Sequence, residues 1–386
     1  SGTRDWYWQI QSHIETIAKA NQVGLIDLHE KLYRRPDLFP DALHPTKEGA
    51  TNIAKTVYEN ITQDFSGLKL AAVFTDNMVL QRNQPITIYG TANGGDVVEV
   101  SFKSQKKSAT TNQYGKWEVV FPAQTHGGHY EVTIKSYQKN IVLKNILIGD
   151  VWFCSGQSNM AFQLQQSENG NEEIKKALPN TAIRLFNFKD LRETDNTVWD
   201  SITLAKTNQL EFFSGSWSVC DYISAKDFSA IAYYFGKNIA HAENIPVGLI
   251  QVAVGGSPIE SWIDRYTLEH DDKVVDVLTN WRRSDFIMPW VRERANMNLK
   301  NATNAKQRHP YDPSYNFEAG VTAFTKFPIK GVIWYQGESN AHNVELYEHL
   351  MPTLVESWRQ AWGTNLPFYY VQLSSIERPT YPAFRD

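Results

Sequence analysis

Gly149-Asp-Val-Trp-Phe-Cys-Ser-Gly-Gln-Ser-Asn-Met160 decides the fold. An apolar run breaks off into small and polar residues just before a helix-compatible stretch, the pattern of a buried strand that turns sharply into a helix. Downstream, four more apolar runs lie at 183–188, 247–254, 329–335 and 367–373. Helical periodicity marks 228–243 and 343–362, where Leu346, Leu350, Leu354 and Trp358 recur every four residues. Strand, polar turn and long helix in alternation predict an α/β unit over 148–386, a parallel sheet with helices on both faces. Upstream, from about 68 to 144, short runs of period two such as Ile86-Thr-Ile-Tyr89, Val97-Val-Glu-Val100 and Trp117-Glu-Val-Val120 are separated by Gly- and Asn-containing turns. They predict a small antiparallel β-sandwich over 67–147. Residues 1–66 predict a helix over 6–20, a short buried strand over 23–28, a loop and a second helix over 45–58.

The composition suits a large packed core: 386 residues, 42% apolar, with 12 Trp, 18 Tyr and 19 Phe. A formal net charge of −4 offers no basic excess for a phosphate backbone, so nucleic acid is not an expected partner. Two cysteines, Cys154 and Cys220, exclude a disulfide-built scaffold and a four-thiolate zinc site. No run approaches the roughly 20 apolar residues of a membrane span, and the opening Ser-Gly-Thr-Arg-Asp-Trp6 shows no export signal, as would also hold for a mature or trimmed chain. His126 and His129 flank a Gly-Gly turn, but two ligands do not make a metal site.

In open α/β sheets reactive groups gather at the carboxyl ends of the strands. Those ends hold Ser158, two residues after a glycine; Val254-Gly-Gly-Ser-Pro258; and Trp334-Tyr-Gln-Gly-Glu-Ser-Asn340. A serine exposed at a strand-to-helix bend suits a nucleophile, which needs a base and preorganised N–H donors for the tetrahedral intermediate. The main-chain amide of Ser158, that of Gly255 or Gly256, and the side-chain amide of Gln336 or Asn340 are the candidate donors. Taken singly, Ser158 reads equally as a helix N-cap, the glycines as a tight turn, and Glu338 and Asn340 as a solvated loop. Their convergence at three strand ends favours the catalytic reading. Cys154 reads as a buried small residue.

These segments, with Gly255-Gly-Ser-Pro-Ile-Glu-Ser-Trp262, Gly331-Val-Ile-Trp-Tyr-Gln-Gly-Glu-Ser-Asn340 and the upstream Asn77-Met-Val-Leu-Gln81, resemble the sialate O-acetylesterase family of SGNH-type hydrolases over about 68–386. The resemblance implies a flavodoxin-like catalytic sheet and an esterase that removes O-acetyl groups from sialic acids or related sugars without cofactor or metal. It further implies an extracytoplasmic setting, with Ser158 as nucleophile, Gly255 or Gly256 in the oxyanion hole, the 336–340 turn completing it, and Glu338 as a supporting acid. An acetylxylan esterase is the alternative within the class, and a non-catalytic carbohydrate-binding module the alternative outside it. Trp262, Trp334 and Tyr335 lie near strand ends, where they would either stack on sugar or pack in the core. Sialic acid carries a carboxylate that an arginine would bind, but Arg184, Arg265, Arg282, Arg283 and others are not told apart by the sequence.

The chain departs from this family in one respect. An SGNH hydrolase carries Asp-x-x-His near the end of its catalytic domain, whereas no histidine here follows His349. The motif stands instead at the front, as Asp41-Ala-Leu-His44, in a stretch resembling the closing part of an SGNH domain. Two expectations follow. In the first, 1–66 is the tail of one hydrolase unit and the base serving Ser158 lies beyond Asp386. In the second, the front segment folds beside the 148–386 sheet and supplies Asp41 and His44 to Ser158.

Overall fold

A computed structural model describes residues 2–137, 139–176, 180–374 and 380–385. The front segment holds helix α1 (Gly2–Ala20) and helix α2 (Lys47–Thr62). Thr46 caps α2, its hydroxyl accepting from the Gly49 amide at 3.1 Å, and Gln63 ends the helix in a left-handed conformation. The strand expected over 23–28 is not formed. Val23 is 59% exposed and no strand among the described residues pairs with the segment; its two ends bond to helical turns instead, the Val23 amide donating to the Ala18 carbonyl at 3.0 Å and the Leu28 carbonyl accepting from the Leu32 amide at 3.2 Å. The front segment packs against a turn of the antiparallel region, where Asn93 Oδ1 accepts from the amides of Phe65 (2.9 Å) and Gly67 (3.0 Å). It also meets later chain, with Tyr33 Oη donating to Glu269 at 2.7 Å and Asn304 Nδ2 to the Asp37 carbonyl at 2.9 Å.

Two antiparallel sheets follow. Lys69–Leu70, Ile86–Thr91 and Lys116–Phe121 form one. Val97–Phe102, Gln105–Thr110, Gly127–Ser136 and the first half of strand β1 (Lys139–Gly156) form the other. Alternate residues Val98, Val100 and Phe102 on one sheet, and Trp117, Val119 and Phe121 on the other, are buried in one core. Phe102 meets Phe121 edge to face at 5.7 Å, joining the sheets. The boundary expected between 147 and 148 falls inside β1, which runs on without a break into the parallel sheet.

That sheet is built from β1, β2 (Asn180–Asn187), β3 (Val247–Ala253), β4 (Gly331–Tyr335) and β5 (Phe368–Tyr370). Its order is β2-β3-β1-β4-β5, all parallel, with Trp217–Cys220 antiparallel on the outer edge of β2. A flavodoxin-like sheet runs in the order 2-1-3-4-5. Here the first and third strands exchange places, which puts β1 at the centre with β3 and β4 as its two neighbours. Side chains alternate between the faces. Val151, Phe153, Ile250, Val252, Val332 and Trp334 belong to one core, and Trp152, Cys154, Leu249, Ala253, Ile333 and Tyr335 to the other. Ser158–Ala161 (α3) follows β1, Ala230–Glu243 (α4) covers the second face, Pro289–Asn298 (α5) follows the β3 corner, and Val344–Trp362 (α6) covers the first face. Phe235 of α4 meets Trp152 at 5.0 Å and Trp358 of α6 meets Phe153 at 5.4 Å, both edge to face. The structure is therefore a mixed α/β fold with a large mixed sheet and helices on both faces of its parallel part.

Candidate active site

The bend after β1 is fixed by a residue that must lack a side chain. Gly156 has φ +144°, and a Cβ there would lie 2.0 Å from the Tyr335 carbonyl oxygen. Gln157 then ties β1 to β4: its amide donates to that same carbonyl at 3.0 Å, and its side-chain oxygen accepts from the amides of Gly337 and Ser339, each at 3.3 Å. With Gln157 and Met160 buried on either side, Ser158 emerges exposed as the first residue of α3. Its N–H, at a helix start, has no acceptor within the helix.

The corner after β3 is built to aim backbone. Ser257 donates to the Val254 carbonyl through both its amide (3.2 Å) and its hydroxyl (2.9 Å). In a trans peptide this turns the Gly255 N–H the opposite way. The Gly255 carbonyl in turn accepts from Thr194 Oγ1 at 2.6 Å and Tyr311 Oη at 2.7 Å. Gly256 makes the turn possible: its φ is +74°, and a Cβ there would meet Tyr311 Oη at 2.5 Å and the Trp290 ring at 3.0 Å.

Behind this corner the 336–340 turn forms a closed network. Asn340 Oδ1 accepts from the Ile259 amide (2.9 Å) and Gln336 Nε2 (2.7 Å), and Asn340 Nδ2 donates to Glu260 Oε2 at 2.9 Å. Gln336 Nε2 also donates to the Ser257 carbonyl at 3.2 Å, which commits both of its hydrogens. Gln336 and Asn340 thus brace the β3 corner from inside the protein. Glu260 is fully buried, and burial pushes its carboxyl up to about 7, against the Asn340 amide and its own backbone N–H, which lower it. Glu338 is half-buried and accepts from Asn159 Nδ2, a bond between the residue after Ser158 and the β4 turn.

A cavity of about 430 Å³ opens beside Ser158, a size suited to a small ligand. Ser158 and Gly255 line it together with Asp190, Thr194, Asp227 and Arg294, among others. Three of the residues expected to touch sugar do not reach it. Trp262 and Trp334 are 0% and 1% exposed, with rings 5.9 Å apart in the core, and Tyr335 is 8% exposed on the opposite face of β4. The strand alternation turns these aromatics into the sheet's two cores.

His44 and Asp41 are held together but are not brought to Ser158. Asp41 Oδ1 accepts from the amides of His44 (2.7 Å) and Leu43 (2.9 Å), and its Oδ2 pairs with His44 Nδ1 at 2.8 Å. These bonds, the His44 amide first, pull the carboxyl down to about 2. The His44 side chain is 76% exposed, and no residue before Ser158 lines the cavity. A larger hollow of about 710 Å³ lies in the front segment among Leu25, Leu28, Leu32 and Tyr114, and shares no residue with the Ser158 cavity. Among the described residues no group of three or more His, Cys, Asp or Glu is placed to hold a metal ion, and no helix is long and apolar enough to cross a membrane.

The sequence reading missed Thr194, Tyr311, Asp190 and Arg294. Asp190 follows the strand over 183–188 directly, at a strand end that the sequence reading passed over, whereas Thr194, Tyr311 and Arg294 lie away from the strand-end segments, where no local signal marks them.

Residues 148–280 and 302–386 match the family model described as carbohydrate esterase, sialic acid-specific acetylesterase. The chain is 28% identical over 343 residues to a sialate O-acetylesterase of Rattus norvegicus, covering 80% of this chain and 60% of that protein. It is 26% identical over 332 residues to the Homo sapiens sialate O-acetylesterase, covering 80% of this chain and 58% of that protein. The chain thus spans about 60% of the length of the curated relatives it matches. The crystal structure of a carbohydrate acetylesterase from Xanthomonas citri superposes with a TM-score of 0.62 at 25% identity, covering 82% of this chain and 64% of that one. With more than half of its residues, the Ser158 bend and both strand-end corners included, inside the matched region, the chain belongs to the sialic acid-specific acetylesterase family of carbohydrate esterases.

Proposed function

We propose that the chain hydrolyses O-acetyl esters of sialic acid or related sugars through a serine acyl-enzyme. The observation that carries this reading is the exposed Ser158 at a glycine-forced bend, sharing a cavity with a corner whose amide is turned outward. Ser158 Oγ attacks the acetyl carbonyl, and the oxyanion receives hydrogen bonds from the amides of Ser158 and Gly255. The Ser158 hydroxyl proton passes to the sugar oxygen, so the C–O bond breaks as the sugar leaves as an alcohol and the acyl-enzyme forms; water then attacks the acyl carbon, gives one proton back to Ser158 Oγ and releases acetate. Gly256 sets the conformation of the corner. Gln336, Asn340 and Glu260 hold the corner against β4, and Glu338 positions Asn159 next to the nucleophile. His44 and Asp41 belong to the front segment and are not the base for Ser158. Ser158→Ala should abolish release of acetate from an aryl acetate and from an O-acetylated sialic acid with the fold retained; turnover in that variant overturns the reading.

A second reading, binding of a carbohydrate without turnover, is favoured by one observation: among the described residues no histidine lines the Ser158 cavity. Binding of an O-acetylated sugar by wild-type protein with no acetate released would select it. Acetate released faster from acetylated xylan than from acetylated sialic acid would select the acetylxylan specificity instead.

A further inference from the structure

We propose that His309 is a positioning residue of the β3 corner: its imidazole joins Asn298 to the main chain of Tyr311, so that both hydroxyls on the Gly255 carbonyl hang from one buried pair. The inference rests on the reading of this corner as the oxyanion site, and adds to it the group that sets the corner's geometry from outside the cavity.

Two peptide planes meet at Gly255, and each is pinned by its carbonyl. Ser257 holds the Val254 carbonyl, at 3.2 Å from its amide and 2.9 Å from its hydroxyl. Thr194 Oγ1 and Tyr311 Oη hold the Gly255 carbonyl, at 2.6 Å and 2.7 Å. These two hydroxyls come from distant stretches of chain, neither of them helix or strand, so another contact must fix their places.

Asn298, the last residue of α5, makes that contact on the Thr194 side. Its Nδ2 donates to the carbonyls of Asp195 and Thr197, each at 2.7 Å, and its own carbonyl accepts from the Trp199 amide at 3.0 Å. These bonds hold the loop that directly follows Thr194. With both amide hydrogens spent, the orientation of Asn298 is settled, and its Oδ1 accepts from His309 Nε2 at 3.1 Å. On the other side of the ring His309 Nδ1 accepts from the Tyr311 amide at 3.0 Å.

The neighbours therefore dictate one form of the imidazole, neutral, with its proton on Nε2. An imidazolium would set a second N–H against that of Tyr311. Burial, with Arg282 adding to it, holds the imidazole far below its usual range and keeps it neutral. The ring plane is fixed as well, stacked on Trp199 at 4.9 Å and edge to face with Tyr311 at 4.7 Å. His309 is fully buried and does not line the Ser158 cavity, so it acts only through what it holds.

A double-mutant cycle with Tyr311→Phe tests the assignment. Phenylalanine keeps the ring against His309 and removes only the hydroxyl on the Gly255 carbonyl. His309→Gln extends a side-chain amide toward Asn298 but leaves the Tyr311 amide without its acceptor. Alone, it should lower kcat for an aryl acetate about tenfold or more with KM within about threefold, because the corner acts on the transition state. In the Tyr311→Phe background the same change should cost less than about threefold, since the hydroxyl it positions is gone. His309→Asn, whose side-chain oxygen stands near the place of Nδ1, should recover part of kcat. Should His309→Gln fail to fold, the cycle is run with His309→Asn, whose smaller loss must likewise disappear in the Tyr311→Phe background. Unchanged kcat in His309→Gln, a loss confined to KM, equal losses in the two backgrounds, or His309→Asn no more active than His309→Gln overturns the proposal. Any of these with an active wild type sinks His309 alone. A wild type that does not turn over sinks the esterase reading, and the cycle is then read in the urea unfolding constant. There His309→Gln should cost about fivefold less in the Tyr311→Phe background than in the wild type, and equal costs overturn the positioning role.

Discussion

Replacing Gly256 by alanine tests the architecture of the β3 corner. At φ +74° an alanine bears the left-handed penalty of about 1–2 kcal/mol. Its methyl carbon would sit 2.5 Å from Tyr311 Oη and 3.0 Å from the Trp290 ring. The hydroxyl must yield, and its 2.7 Å bond to the Gly255 carbonyl goes with it, a further ~1 kcal/mol. The sum is about 2–3 kcal/mol, read as a lower midpoint in urea unfolding. Because the lost bond fixes the peptide next to the outward amide, kcat/KM for an aryl acetate should fall about 10²-fold or more, the usual cost of one oxyanion donor. Gly255→Ala is the control. Its Cβ would have nothing closer than Thr194 Oγ1 at 4.0 Å, its φ is not positive, and alanine keeps the N–H. That variant should stay within about 1 kcal/mol and a few-fold of wild type. If Gly256→Ala is destabilised as expected yet turns over aryl acetate at the wild-type rate, the corner does not hold an oxyanion donor.

Glu260 should make stability depend on pH. Its carboxyl moves from 4.5 to about 7 on folding, so the folded chain holds that proton more tightly. The contribution is complete below pH 4.5 and is lost as pH rises through 7, a span of about 3 kcal/mol. Glu260→Gln should remove that slope, and parallel unfolding curves for the two proteins between pH 5 and 8 would refute it. Both thiols should be inert in the native state, because burial raises the Cys154 thiol far above its usual range and pushes Cys220 up to about 12. A colourimetric thiol reagent should find none before denaturant and two after it. His44→Ala should leave Ser158-dependent hydrolysis within about twofold of wild type, since the imidazole is 76% exposed and outside the cavity lining. A large loss of kcat there would bring the front segment back into the mechanism.

The strands and corners were legible because their physics is local. A buried parallel strand needs an uninterrupted apolar run, and a chain that leaves such a strand beside a neighbour's carbonyl, as at Gly156, or turns through a left-handed conformation, as at Gly256, needs glycine. What the sequence hid was tertiary. Thr194, Tyr311 and Arg294 converge on the Gly255 carbonyl or its cavity from three separate stretches, each polar and without period. For the aromatics near the strand ends the sequence left sugar stacking and core packing both open, and the structure selects the core. Trp334 shares a face with Val332, and the period-two alternation carries both into the same core. Residues 23–28 show the limit of composition: they read as a strand and stay unpaired for want of a neighbour. The exchange of the first and third strands in the sheet order likewise has no signature in any single segment.

Strand β1 spans 18 residues, about 60 Å when extended, and carries ladder bonds from the antiparallel sheet to the serine bend. It is a tie-rod rather than a linker. A hinge between the two layers would have to shear the ladders on both sides of one continuous backbone. Distortion applied at the far sheet therefore has one laddered covalent path to the nucleophile, interrupted only where Asn145 turns left-handed and the pairing shifts register, and the two layers should melt as one body.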